Sequence, residues 1–290
     1  MTIAIAVVQA LLFGDVTPPD CAPKVDPIVC LVDARFAKDD RAKQLAEDLY
    51  HHSGDLAGLG ADEHMNGGYR GRIHLVPELP IGSYRKHLTW VVAATDSIDG
   101  FFTKLMDGKQ PAYRWRELAF RFVRSIGKRT PSAYAAILPV GAANNVWTIE
   151  YNVEGSLLTN ETGVRETLFH ELFHVNDESH KDWSQHALAT DYNAIVKKCG
   201  TRSRCLAPYA PNDTKVRATG TYYAFQPNNG NTVHEYGAEL AVRYFKEQSE
   251  MLAKGRLSHS AFKCGPPENA RAWHALVDEF FAGVDHVPTC

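Results

Sequence analysis

The sequence predicts an α+β chain in which a mixed β-sheet precedes a mainly helical second half. Three observations predict it. Short segments of strand composition fall before residue 155, at Arg72–Val76, Leu88–Ala94, Ala133–Leu138 and Val146–Val153. Segments with apolar residues at helical spacing dominate after residue 160. Between them lies a proline-free apolar stretch carrying two histidines, which reads as a buried helix. The 290 residues are enough to bury a full core as one domain, residues 15–290, with an upper lobe over about 35–178 and a lower lobe over about 179–290.

In chain order, Ile3–Phe13 is an apolar run followed by Gly14-Asp15 and Pro18-Pro19. Its length suits the core of a signal peptide over residues 1–14, although a basic leader is missing and Val8-Gln9-Ala10 is only a passable cleavage site. A first buried strand is the rival reading. Arg35–His52 predicts an amphipathic helix through Phe36, Leu45, Leu49 and Tyr50, and Ser53–Gly71 a glycine-rich loop whose acids Asp55, Asp62 and Glu63 are solvated. Pro111–Ile126 predicts a helix with Trp115, Leu118, Phe122 and Ile126 at core spacing. Pro139–Asn145 reads as the turn between the last two strands. Further helices are predicted over Trp183–Val196, Thr232–Phe245 and Glu268–Phe281, with a polar stretch Gln226–Asn231 before the second of these.

A net charge of −3 without a Lys/Arg block argues against a nucleic-acid partner, and no apolar run approaches the roughly eighteen residues of a membrane span. The six cysteines fall as Cys21/Cys30, Cys199/Cys205 and Cys264/Cys290, with no Cys-x-x-Cys. Such close couples suggest three local disulfides, each worth about 2–3 kcal/mol, although six cysteines allow fifteen pairings. Disulfides persist outside the reducing cytosol, so a secreted or otherwise extracytoplasmic chain is expected, acting as a monomer.

Residues 170–174 read His-Glu-Leu-Phe-His. On a helix, His170 and His174 share a face and can offer two imidazole nitrogens to one zinc ion, while Glu171 points toward its open side as a general base. Val164, Leu168, Phe169, Leu172, Phe173 and Val175 supply an apolar frame, and Thr162 is the expected N-cap. Burying two histidines and a glutamate without purpose is costly. A third ligand must come from elsewhere. Glu235 lies four residues before Glu239 on the Thr232–Phe245 helix, so the two carboxylates stand one above the other and call for a cation or donors between them. Zinc on Glu235, with Glu239 accepting the far N–H of a ligand histidine, answers that, although Glu239 itself competes as ligand. Gly237, Ala238 and Ala241 are small enough for a close approach to the histidine helix. His180 and Asp191 are the rival third ligands.

The His170-Glu171-x-x-His174 segment resembles the active-site helix of the zincin metallopeptidases. With Glu235-x-x-x-Glu239 downstream it is most similar to the glutamate zincins, and among them to the lethal-factor-like peptidases. His180 would instead follow metzincin spacing, but Asp177 replaces the metzincin glycine, and no methionine turn follows: after Met106 only Met251 remains, inside a predicted helix. Asp191, in Thr190-Asp191-Tyr192, is a poor match to the aspartate zincins. The resemblance implies a zincin-like fold, with an upper-lobe edge strand that pairs with an extended substrate; Val146–Asn152 is the candidate, an internal strand being the alternative. It also implies an oxyanion-steadying tyrosine shortly before Glu235, where Tyr222 and Tyr223 fall at a spacing unlike that family's, and we take Tyr223 as the candidate. Pro19-Asp20-Cys21-Ala22-Pro23 faintly resembles a cysteine switch, against which stands pairing of Cys21 with Cys30.

The expected chemistry is zinc-dependent hydrolysis of peptide bonds in a protein or peptide substrate. Glu171 takes the proton of the attacking water and returns one to the departing amine. The ligand histidines must be neutral, so activity is expected to fall as they protonate. A zinc-stabilised binding protein without activity, and a hydrolase of another amide, are the alternatives; the former tends to lose the glutamate that is present here as Glu171.

Overall fold

The computed structural model describes residues 5–13, 19–21, 26–67, 71–140, 144–216, 219–227 and 232–290. It is a mixed α/β chain that divides into two compact units, Met1–Ile98 with Trp115–Glu171, and Asp99–Arg114 with Leu172–Cys290. Two helices run through the division, one over Arg85–Met106 and the histidine helix.

The first unit holds a six-stranded sheet: β1 (Leu56–Leu59), β2 (Glu63–Asn66), β3 (Arg72–Pro77), β4 (Leu118–Ser125), β5 (Ala133–Val140) and β6 (Asn144–Asn152). The order is β2-β3-β4-β6-β5, with β1 also paired to β4. β4 runs parallel to β1 and β6, while β2/β3, β3/β4 and β5/β6 are antiparallel. Helices α1 (Ile5–Phe13), α2 (Pro27–Arg35) and α3 (Asp40–Ser53) belong to this unit, as does the start of α4 (Arg85–Met106). A Cβ at Gly58 of β1 would lie 2.3 Å from the Leu11 carbonyl oxygen, so α1 rests directly on the strand's backbone.

Several expectations are corrected here. Ile5–Phe13 is a helix that buries Val8, Leu11 and Leu12, not a strand; residues 1–4 and 14 of the expected signal segment lie outside the described residues. The single helix expected over Arg35–His52 is two, because Asp39 interrupts it and caps α3 by accepting from the Ala42 N–H. The expected loop Ser53–Gly71 contains β1 and β2. Within it Asp55 is fully buried and accepts from the Leu118 N–H, and Glu63 accepts from the Tyr134 hydroxyl, so of the three acids only Asp62 is exposed.

Leu88–Ala94 is helical despite its β-branched and aromatic content. Leu88, Val91, Ala94, Ile98, Phe102 and Leu105 are buried at steps of three and four, and that period outweighs local strand propensity. The reverse holds for Pro111–Ile126, which contains the central strand β4. Leu118, Ala119, Phe120, Phe122 and Val123 are buried on both faces of it, whereas Ile126 is exposed. A strand covered on both sides shows no alternation and imitates a helix by chance. β6 is internal, between β4 and β5, so the expected edge position of Val146–Asn152 passes to β5. Residues 141–143 of the expected turn and 228–231 of the polar stretch lie outside the described residues.

The second unit holds the end of α4, the second half of α5 (Glu161–Ser179), α6 (Trp183–Ala187), α7 (Ala189–Cys199), α8 (Ser203–Leu206), α9 (Thr232–Lys254) and α10 (Pro267–Phe280). The helix expected over Trp183–Val196 breaks at the buried Leu188 into α6 and α7. An aromatic core joins Phe102, Tyr113, Tyr244 and Phe281 in stacked contacts, with Phe173, Trp183 and Phe280 edge-on beside them. Asp285 gathers the Lys263 ammonium, the Trp273 indole N–H and the Gln248 amide, which draw its carboxyl below the usual range against the opposing effect of burial. The three disulfides are Cys21–Cys30, Cys199–Cys205 and Cys264–Cys290, as the couples suggested. The Cys21 sulfur is thereby engaged, which removes the cysteine-switch reading. Among the described residues no helix is long and apolar enough to cross a membrane.

Two buried groups of the first unit link its stability to pH in opposite directions. Glu150 is raised to about 7 by burial, although the Arg121 guanidinium 2.7 Å away pulls it down. His87, with Nδ1 3.0 Å from the Tyr151 hydroxyl, is lowered to about 4, chiefly by burial. Glu150 therefore contributes stability below its ordinary 4.5 that is lost as pH rises through about 7. His87 contributes stability above its ordinary 6.5 that is lost as pH falls through about 4. At about 1.4 kcal/mol per pKa unit each effect reaches ~3 kcal/mol. Denaturant unfolding between pH 4 and 7.5 is expected to show that Glu150→Gln removes a decline toward neutrality and His87→Gln a decline toward acid. Variant and wild-type slopes that coincide would refute both assignments.

Candidate metal centre

The histidine helix α5 starts where Asn160 accepts from the Gly163 N–H at 2.9 Å, so Asn160 is the cap and Thr162 lies inside the first turn. Val164, Leu168, Phe169, Leu172, Phe173 and Val175 are buried as the apolar frame requires. Within that frame His170 is 8% and Glu171 7% exposed, and His174 is half-buried. Glu235 stands in the first turn of α9. One ligand atom from each of His170, His174 and Glu235 lies within 4.8 Å of the other two, and His174 Nε2 is 3.8 Å from Glu235 Oε2. Bonds of about 2.1 Å to a tetrahedral ion place ligand atoms about 3.4 Å apart, so small side-chain rotations close the group on a metal. Two imidazoles and one carboxylate suit a divalent ion of zinc type. The residues fit.

The rival ligands have other partners. His180 follows the last turn of α5, its Nδ1 2.6 Å from Glu279 Oε1 and its ring against Phe280. The helix continues through Asp177, and the chain turns with positive φ only at Lys181 and Asp182, so the sharp bend that would carry His180 back toward His174 is missing. Asp191 accepts two hydrogen bonds from the Arg271 guanidinium. Glu239 is buried one turn beyond Glu235 and accepts from the Asn212 amide at 3.0 Å. Tyr223 opens a short 3-10 turn ahead of α9, its N–H donated to the Thr214 carbonyl, while Tyr222 is buried with Lys215 over its ring.

The spacing did not reveal the residues that brace the centre. Asp177 is fully buried and accepts from both the N–H and the hydroxyl of Ser184, with His234 Nδ1 3.6 Å away; burial raises its carboxyl above the usual range. It thus ties the end of α5 to α6 and to the residue next to Glu235. Asn176, also fully buried, pairs with both backbone groups of Arg114 and donates to the Leu172 carbonyl. Asn212 joins Glu239 through its side chain and its carbonyl. Polar residues in an apolar helix were the available signal, but their partners are set by tertiary contacts.

α9 meets α5 at Gly237, where a Cβ would lie 2.8 Å from the Phe173 ring and 3.2 Å from Ser184 Cβ. Gly237→Ala gains about 1 kcal/mol of helix propensity but costs about 1–3 kcal/mol in overpacking. It is expected to leave folding nearly intact while displacing Glu235, so bound zinc, measured by dialysis and metal analysis, falls well below wild type. Undiminished zinc binding would show that this contact does not position the carboxylate. No protein-family model matches the chain, and neither does any curated protein or solved structure.

Proposed function

We infer that the chain is a zinc-dependent endopeptidase of zincin type, secreted or otherwise extracytoplasmic, that hydrolyses protein or peptide substrates. The observation that carries the reading is the convergence of His170, His174 and Glu235 with Glu171 next to the first histidine on the same buried helix. These three residues would hold the ion. Bound there, zinc supplies Lewis acidity, polarising an amide carbonyl and making a water acidic enough to attack near neutral pH.

Glu171 takes the proton of that water and hands one to the leaving amine, a role suited to a carboxylate in a poorly hydrated setting. Tyr223 is the candidate donor to the developing oxyanion, on the strength of the family resemblance. β5 pairs only with β6 among the described residues, so its other edge can accept an extended peptide backbone. The three disulfides support an oxidising compartment. A net charge of −3 gives no support to a polyanionic partner, and the chain is taken to act as a monomer.

Cleavage of an unfolded generic protein, with metal content measured alongside, tests this. Glu171→Gln is expected to keep its zinc and lose roughly 100- to 10,000-fold in rate. Glu235→Ala is expected to lose both zinc and activity, and His180→Ala neither. Cleavage that survives Glu171→Gln would sink the reading, and zinc retained by Glu235→Ala but lost by His180→Ala would move the third ligand.

A further inference from the structure

A second group of ligand-bearing side chains converges in the first unit. Asp62, His64 and His74 each bring one ligand atom within 4.8 Å of the other two. β2 and β3 are antiparallel, with His64 directly opposite His74. Because side chains alternate along a strand, Met65, Ile73 and Leu75 turn to an apolar cluster with Val123, and both histidines go to the opposite face. There the rings stack with centroids 4.1 Å apart. Asp62, just ahead of β2, places Oδ1 2.9 Å from His74 Nε2.

We propose that Asp62, His64 and His74 form a second, solvent-facing site for a first-row divalent ion that favours imidazole, zinc or copper(II), independent of the helix-borne centre. Two imidazoles and a carboxylate, with the remaining positions open to water, form a borderline donor set that disfavours calcium and magnesium. Burial does not bring these side chains together: Asp62 is 63% and His74 34% exposed. Strand register brings the two imidazoles together and Asp62 joins them through His74, so closing the three on an ion needs only the small rotations estimated for the first centre. The His74–Asp62 contact is largely exposed, so exchanging it for metal bonds sacrifices little. An ion there also has a structural consequence. β2 has four residues and pairs only with β3 among the described residues, and a two-stranded ribbon is marginal by itself. Ligation across the pair cross-links this end of the sheet.

The test is equilibrium dialysis of the full chain against zinc, followed by metal analysis of wild type, His74→Ala, His64→Gln and His174→Ala. Wild type is expected to hold two ions, and each variant one. Zinc affinity at the altered hairpin should fall by more than the 10- to 100-fold that loss of an outer partner costs a metal site. The hairpin variants should keep any peptidase activity, since neither residue belongs to the first centre. If wild type and both hairpin variants bind the same number of ions, the proposal is overturned. It is also overturned if His74→Ala loses an ion and the milder His64→Gln does not. A wild type holding one ion, lost in both hairpin variants and kept in His174→Ala, supports this site and removes the other.

Discussion

The close approach of α9 to α5 at Gly237 is the constraint on which the first centre depends. A side chain at that position would collide with the Phe173 ring, so the absence of a Cβ sets the distance between the helices. Glu235 lies half a turn before Gly237 and His174 directly follows Phe173, so the same contact sets how far the carboxylate stands from the imidazole. Asp177 fixes the other coordinate. By holding Ser184 and facing His234 it limits rotation of α9 about that contact. Packing and a buried polar brace together place two candidate ligands that are far apart in the chain.

The acids around the centre differ in burial and in their neighbours. Asp177 accepts from Ser184 and faces the His234 ring, and Glu239 accepts from Asn212. Glu235 is half-buried, with Oε2 3.8 Å from His174 Nε2. Desolvating a carboxylate is expensive unless it is paired, and the donor set of two imidazoles with Glu235 suits a cation better than it suits bare charge. A helix crowded with Leu172, Phe173 and Val175 also keeps bulk water from Glu171, which strengthens any charge interaction made there.

Legibility in the sequence followed the range of the interactions. The α5 pair was readable because an i, i+4 relation is local, and Glu235 because its own helix was strongly periodic. β3, β5 and β6 were readable from composition. β4 was not, since a strand buried on both faces carries no alternation, and α4 was not, since its β-branched residues sit on a helical period that emerges only over its full length. β1 and β2 were hidden in a segment rich in glycine, where backbone pairing rather than side-chain pattern makes the strand. Asp177, Asn176 and Asn212 stood in plain view as residues, but their partners lie up to 62 positions away.

The two histidine pairs differ in what keeps them together. His170 and His174 stay on one face wherever α5 remains helical, because the period of the helix makes the pair. His64 and His74 are neighbours only in one register of β2 against β3. A slip of one residue in β2 would turn His64 to the apolar side and Met65 to solvent, dissolving the stack. Met65 is the main inward anchor on a strand this short, so apolar packing by itself resists that slip weakly. An ion bound across the pair adds a penalty specific to that slipped register, since it puts the two imidazoles on opposite faces. At the end of the sheet a metal would therefore act on strand register, whereas in α5 the helix is already formed and a metal would leave register unchanged.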